Sequence, residues 1–219
     1  MAATKKNRNT RKKRLAAKER ATPAQRTYPL QWPVKGKVLS RANGVTKRRW
    51  RLGERTLTER TTMDPESPMP VRVLVREHRT KLASARLERR QGPSLQPIPQ
   101  PVRRIIGARD CLEASWYLNA EERRRDARLS ARGALPALSN VTGRGIAGGI
   151  LGPVLMENLQ ALVNHGKKSM VVMAAIQRGS IPSERVAKRQ GFRLRHVTRE
   201  EAEKHTIYTG YWLKTVRPQ

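Results

Sequence analysis

The eight residues SMVVMAAI at 169–176 constrain the chain most, because an unbroken apolar run of that length reads as a buried strand. The segments on either side are patterned to cover it. Upstream, VTGRGIAGGILGPVLMENLQALVNHGKK (141–168) opens with a glycine cluster and continues as a helix. Ile150, Val154, Leu155, Leu159, Leu162 and Val163 recur at spacings of three and four and give that helix one apolar face. Gly166 stands where a C-cap is expected, with Lys167 and Lys168 near the negative end of the helix dipole. Downstream, PSERVAKRQ (182–190) predicts a short helix with Pro182 in its first turn and Ser180 or Ser183 as cap; Gly191-Phe192 ends it. RLRHV (193–197) and TIYTGYWLKTV (206–216) read as two strands joined by the polar TREEAEKH. Glycine turn, helix, buried strand, short helix and two strands together predict an α/β fold.

The middle of the chain is less regular. MDPESPMP (63–70) is turn-forming and marks a boundary, and VRVLVREH (71–78) alternates at period two as a strand does. RTKLASARLERR (79–90) and CLEASWYLNAEERRRDARL (111–129) have helical composition. QGPSLQPIPQP (91–101), with four prolines, predicts a linker or extended wrap outside the core, and ALPALSNV (134–141) a short strand. The division expected is a basic, largely disordered arm over 1–61 and an α/β domain over 62–219.

Charge is the second constraint. The 219 residues carry 47 Lys+Arg against 17 Asp+Glu, a formal charge of +30. Residues 1–60 hold 19 basic and 3 acidic side chains, the remainder 28 and 14. Such an excess favours counterion-releasing contacts with phosphates, so a nucleic acid or another polyanion is the expected partner of the arm. Residues 1–25 have nothing to bury and repel themselves. Further on, Trp32 and Trp50 stand among cations, a mixture suited to stacking on unpaired bases while charge tracks the backbone. The candidate contacts are Lys12, Lys13, Arg14, Trp32, Lys47, Arg48, Arg49, Trp50 and Arg51. The tryptophans equally suit anchoring an extended arm against a fold.

Cys111 is the single cysteine, and the four histidines lack metal-ligand spacing, so neither an internal disulfide nor a metal site is expected. No window has the ~18–20 consecutive apolar residues of a membrane span, and the N-terminus lacks the apolar core of a secretory signal. No membrane partner is expected. An intracellular setting is, cytoplasmic or nucleic-acid-associated, with a virion as the other setting.

A glycine-rich turn at a helix start leaves backbone N–H groups open at the positive end of the dipole, where phosphates bind. The succession after residue 141 resembles the C-terminal half of the GCN5-related N-acetyltransferase (GNAT) superfamily. That family's Gln/Arg-x-x-Gly-x-Gly/Ala turn matches Thr142, Gly143, Arg144, Gly145, Ile146 and Ala147, with Thr142 in the Gln/Arg slot and Arg144 displaced by two. Its second motif, Asn-x-x-Ser/Ala followed by an apolar residue, a Tyr and Gly-Phe, matches Ser180, Ser183, Val186, Ala187, Gly191 and Phe192. Ser180 takes the Asn slot and Ala187 the Tyr slot. The resemblance covers 141–219; the family's N-terminal half, with its substrate-binding helices and central strands, is not recognisable in 60–140.

The resemblance implies an acetyltransferase-like mixed sheet with flanking helices. It also implies acetyl-CoA as acyl donor, held by Val141, Gly143, Arg144, Gly145, Ile146, Ala147 and Gly148, mainly through backbone N–H, with Ser183 beside the pantetheine arm. Many members protonate the departing thiolate with the tyrosine that Ala187 replaces, and alanine has no hydroxyl. The catalytic base is left unassigned, Glu113, Tyr117 and Tyr208 being more in keeping with structural or solvent-facing places, and the acceptor amine is unknown. The function expected is acyl-CoA-dependent N-acyl transfer by a chain with a polyanion-binding arm. Its alternative is a non-enzymatic nucleic-acid-binding protein of a nucleocapsid, virion or ribosome on the same scaffold. A third reading leaves residues 40–135 without a compact fold.

Overall fold

The computed structural model describes residues 36–107, 109–120, 122–124, 145–202 and 205–219. Among them runs a nine-stranded sheet in the order β1-β2-β3-β4-β5-β6-β7-β9-β8. Its strands are β1 (Val38–Ala42), β2 (Val45–Leu52), β3 (Arg55–Met63), β4 (Val71–Glu77), β5 (Thr80–Arg90), β6 (Cys111–Leu118), β7 (Met170–Gln177), β8 (Arg193–Ala202) and β9 (His205–Val216). Every neighbouring pair is antiparallel except β6 and β7, which run parallel. Helices α1 (Gln100–Ile106), α2 (Gly152–Gly166) and α3 (Ile181–Arg189) flank it, and a π-helical turn, Ile146–Leu151, leads into α2. The mixed sheet with flanking helices is the fold class expected.

The first three strands correct the sequence boundary, since residue 62 falls inside β3 and β1–β3 occupy the segment read as arm. Residues 1–35 lie outside the described residues. The hairpin β1–β2 turns on Asn43-Gly44, both at positive φ (49° and 71°), the geometry an Asn-Gly pair supplies most easily. In β2, Arg48, Trp50 and Leu52 point inward while Lys47, Arg49 and Arg51 point out. Compact strands from β1 to β6 also set aside the third reading for their part of 40–135.

Two helix expectations are corrected as well. Residues 80–90 form β5 and 111–118 form β6. Lys, Leu, Ala, Arg and Glu favour a helix by composition, but Ala83, Ala85 and Leu87, like Leu112 and Ala114, are buried at period two. Packing on a sheet overrides propensity there. The proline-rich 91–101 is partly core: after a short 3₁₀ turn at Gly92–Leu95, Ile98 is buried and Gln100 begins α1. The strand expected at 134–141 lies outside the described residues.

The C-terminal elements follow the expectation except that β8 continues through 198–202, and β9 begins at His205, in the stretch read as a polar connection, where the two strands pair as a hairpin. Ile150, Val154, Leu155, Leu159, Leu162 and Val163 are all buried on one sheet face against Leu57, Val71, Val73, Val75, Ala85 and Leu87. By length and composition the helix from Ile146 to Gly166 would cross a membrane, but here its apolar side is the core of the sheet. It ends one residue later than expected, with Lys167 at φ 51° as the left-handed cap. On the opposite face a smaller cluster joins Ile98, Val102 and Ile106 to Cys111, Val171, Met173, Tyr211 and Leu213. Helix α1 thus covers only the β6–β9 end of that face.

Candidate functional site: a parting between parallel strands

The site is set by where β6 and β7 stop pairing. The two strands match at Cys111↔Val171, Leu112↔Val172 and Glu113↔Met173 and no further. Beyond that point β6 runs on to Leu118 bonded only to β5, and β7 to Gln177 bonded only to β9. Among the described residues, the facing edges of 114–118 and 174–177 have no strand partner, so a wedge opens between them. Each strand keeps its antiparallel partner on the outer side along this stretch, β5 for β6 and β9 for β7.

The π-helical turn lies over β4–β6 on the α2 side of this wedge and touches α3. It starts at Gly145, whose carbonyl accepts from Gly149 N–H (2.8 Å), and it closes with Gly152 N–H donating to Ala147. Helix geometry leaves the amides of Ile146, Ala147 and Gly148 without partners inside the helix, at the positive end of its dipole. Three glycines in five residues keep that end low. Ile146 is buried and anchors the turn in the core, while Ala147 and Gly149 are half-buried. π-turns are rare and concentrate at functional sites.

Helix α3 closes the third side, packing on both the π-turn and β7. Ser183 stands half-buried in its first turn. Ala187 is wholly buried in the core between helix and sheet and offers no hydroxyl to the wedge. Gly191 takes φ 82°, which lets the chain leave α3 and send Phe192 inward. The Phe192 ring stands edge-on to Trp116 of β6, 6.4 Å between centroids, and ties the end of α3 to the edge of the wedge.

On the α1 side the ionisable groups differ from those weighed in the sequence. Glu113 sits at the last paired position and accepts from Arg90 Nε at 2.6 Å. Tyr117 and Tyr208 are 55% and 45% exposed, as solvent-facing residues are. Tyr211, which the sequence reading passed over, is buried opposite Ala175, two residues beyond the last β6–β7 pair. Burial raises its phenol above the ordinary value, Thr198 opposes that through a side-chain hydrogen bond, and Glu200 and Glu113 add to the rise. The His196 ring lies 6.4 Å from it. The alternation of Tyr211 with Leu213 along β9 was the available signal. Nothing in the pattern signals the parting itself, which is a matter of register.

Of the residues assigned to a cofactor, Gly145, Ile146, Ala147, Gly148 and Ser183 come together around the wedge; Val141, Gly143 and Arg144 lie outside the described residues. Of those assigned to nucleic acid, Lys12, Lys13, Arg14 and Trp32 lie outside them too. Lys47, Arg49 and Arg51 are exposed. Arg48 and Trp50 correct the expectation: both are buried on the α2 face, where Trp50 Nε1 donates to Glu59 (2.9 Å) and Arg48 pairs with Glu59 and Glu157, so neither can stack on a base. No group of metal ligands occurs among the described residues.

No family model matches the chain, and no curated protein matches it in sequence. Among the solved structures that it is similar to are acetyltransferases. A GNAT-family acetyltransferase from Streptococcus pneumoniae has 8% identity over 69% of each chain, with a TM-score of 0.41. An N-acetyltransferase from Staphylococcus aureus Mu50 has 15% identity over 66% of each chain, at 0.38. Arabidopsis thaliana NAA60 in complex with acetyl-CoA has 11% identity over 75% of this chain and 78% of its own, at 0.38.

Proposed function

We propose that the chain transfers an acetyl group from acetyl-CoA to an amine. The observation that carries this reading is the parting of β6 from β7 beside a helix that opens in a glycine cluster. A linear thioester suits such a wedge. Unpaired strand-edge amides meet its carbonyl, and the amides of Ile146, Ala147 and Gly148 meet a pyrophosphate. Gly145 keeps the approach open, Ser183 stands beside the arm between thioester and pyrophosphate, and we assign Val141, Gly143 and Arg144, which lie outside the described residues, to the same phosphates. In the reaction the amine nitrogen attacks the carbonyl carbon, the C–S bond breaks, and the thiolate takes up a proton. The amine nitrogen loses one proton as the amide forms, which balances the one the thiolate gains, and Ala187 has no hydroxyl to relay it. Lys12, Lys13, Arg14 and Trp32 belong to the segment we assign to a polyanion, an assignment that stands on charge.

The test is isothermal titration of acetyl-CoA into the full chain at elevated salt, because CoA is an anion and a +30 chain attracts it without a site. One saturable site per chain is expected. Ala147→Glu places a carboxylate where the pyrophosphate would lie, and should weaken binding at least about tenfold, or ~1.4 kcal/mol. The same carboxylate leaves thermal stability unchanged or slightly raised, since acids favour a helix N-terminus. An absence of saturable heat from the folded chain would sink the proposal. Release of free thiol in the presence of an amine then separates a catalyst from a binding scaffold.

A further inference from the structure

Beyond the wedge, the geometry points to a docking surface for double-stranded nucleic acid on the face of β2–β4 that no helix covers among the described residues. Residues directly opposite in an antiparallel pair share a face. The register Lys47↔Arg60↔Leu74, Arg49↔Thr58↔Arg76 and Thr62↔Arg72 therefore puts Lys47, Arg49, Arg51, Arg60, Arg72 and Arg76 on one side. All six are exposed, and none has an ion pair with a described residue. The acids of these strands, Glu59 and Glu77, point to the other face, where they hold Arg48 and Arg55. Helix α1 covers this side of the sheet only from β6 onward.

Six cations held apart with no carboxylate among them repel one another unless a polyanion lies across them. Arg72 lies level with Val45, so with strands ~4.8 Å apart and same-face residues ~6.8 Å apart along each, the cations spread over roughly 10 by 20 Å. A duplex carries one charge per ~1.7 Å of axis and so carries on the order of twelve phosphates over that length. The choice of a duplex over a single strand rests on what lies between the cations. Thr56, Thr58, Thr62 and Leu74 fill the face, and no aromatic stands on it in β2–β4. Single strands are held by base stacking worth ~1–3 kcal/mol per base, and this face has no stacking platform. The surface keeps Lys47, Arg49 and Arg51 of the sequence expectation, adds Arg60, Arg72 and Arg76, and drops the stacking tryptophan. It does not depend on acetyl transfer or on residues 1–35.

The experiment titrates the full chain with a short fluorescein-labelled RNA duplex, the matching DNA duplex and the corresponding single strand across a salt series. Arg49→Gln, Arg51→Gln, Arg60→Gln and Arg76→Gln are combined in one variant. A second variant removes the same charge elsewhere, combining Lys167→Gln, Lys168→Gln, Arg193→Gln and Arg195→Gln, all at exposed positions. Thermal melting verifies that both fold. Each lost phosphate contact lowers the slope of log affinity against log salt by about 0.9, so the first variant should lose about 3–4 from the slope for both duplexes and at least about tenfold in affinity near physiological salt. The second should lose less than one from the slope. Equal losses in the two variants would show that net charge, not this face, holds the duplex and would overturn the proposal. So would a loss confined to the single strand.

Discussion

The sheet treats arginine in opposite ways on its two faces. On the face beneath α2, Arg48 is buried and Arg55 half-buried, and each lies within ion-pair distance of two carboxylates. Arg48 Nη1 lies 3.6 Å from Glu59, and its other terminal nitrogen donates to Glu157 of α2; Arg55 Nη2 lies 2.8 Å from both Glu77 and Glu122. One residue away from Arg48 along β2, Lys47, Arg49 and Arg51 point outward with no ion-pair partner among the described residues. A buried charge without a partner costs several kcal/mol, while an exposed one costs almost nothing. Pairing on the covered face is thus a requirement of the fold. Its absence on the open face is permitted by water, and leaves those cations available to a partner.

The largest effect should come from removing the acid that makes the covered face tolerable. Glu59 is fully buried and accepts from Trp50 Nε1 at 2.9 Å and Thr61 Oγ1 at 2.5 Å, besides facing Arg48. Glu59→Ala strands all three groups and should cost ~3–5 kcal/mol in urea unfolding. A loss under ~1 kcal/mol would mean that Glu157 alone satisfies Arg48.

A second effect is found where the open face ceases to be open. Cys111 begins β6 under α1, and burial, with Glu113 adding to it and Arg90 opposing it, pushes the thiol from 9.0 up to about 12. Between pH 9 and 12 the unfolded thiol loses its proton while the folded one keeps it. Stability therefore falls by ~1.4 kcal/mol per pH unit in that window and is unaffected below it. The difference in stability between the parent and Cys111→Ala, followed from pH 8 to 11, isolates this slope from the other titrating groups. A difference independent of pH would place the thiol in contact with water.

Glu77→Gln comes third, because it weakens a pair without emptying it. Burial pulls the Arg55 guanidinium down, but the hydrogen bonds and charges of Glu77 and Glu122 outweigh it, for a net rise. With Glu122 left, the loss should be ~1–2 kcal/mol. Combining it with Glu122→Gln should cost more than the sum of the two single changes, and simple additivity would argue against a shared arginine.

The sequence revealed these faces unevenly, for physical reasons. From Ile150 to Val216 one pattern serves one element at a time: Val154, Leu155, Leu159 and Leu162 show a helix, and the run 170–176 shows a strand buried on both sides. In β2 the same information is present, but inward positions hold Arg48 and Trp50 instead of aliphatic residues, so alternation is hidden by charge and only Asn43-Gly44 signals the hairpin. Segments 80–90 and 111–118 mislead in the other direction, since helix-favouring side chains there carry a period of two. The glycine turn was legible as a helix start. The wedge beside it was not, because it depends on where β6 stops pairing with β7, a register between residues far separated in the chain.

The smallest expected change, Arg49→Gln, is the sharpest test of the contrast between faces. Arg49 is exposed in the centre of β2, flanked by Arg48 and Trp50 that point the other way, and its side chain has no ion-pair partner among the described residues. If the open face contributes nothing to the fold, replacing this arginine should move stability by no more than ~0.5 kcal/mol, and a small gain is the expected sign. The gain follows because Arg76 on the next strand but one and Lys47 and Arg51 at i±2 lose a like-charged neighbour, and like charges in close cross-strand array destabilise a sheet. Salt supplies the check. Adding salt screens the repulsion in the parent, so the gap between parent and variant should close as ionic strength rises through the range where the Debye length falls below ~8 Å. A variant that is less stable than the parent at all salt concentrations would give Arg49 a structural partner, and the two faces would differ in degree only.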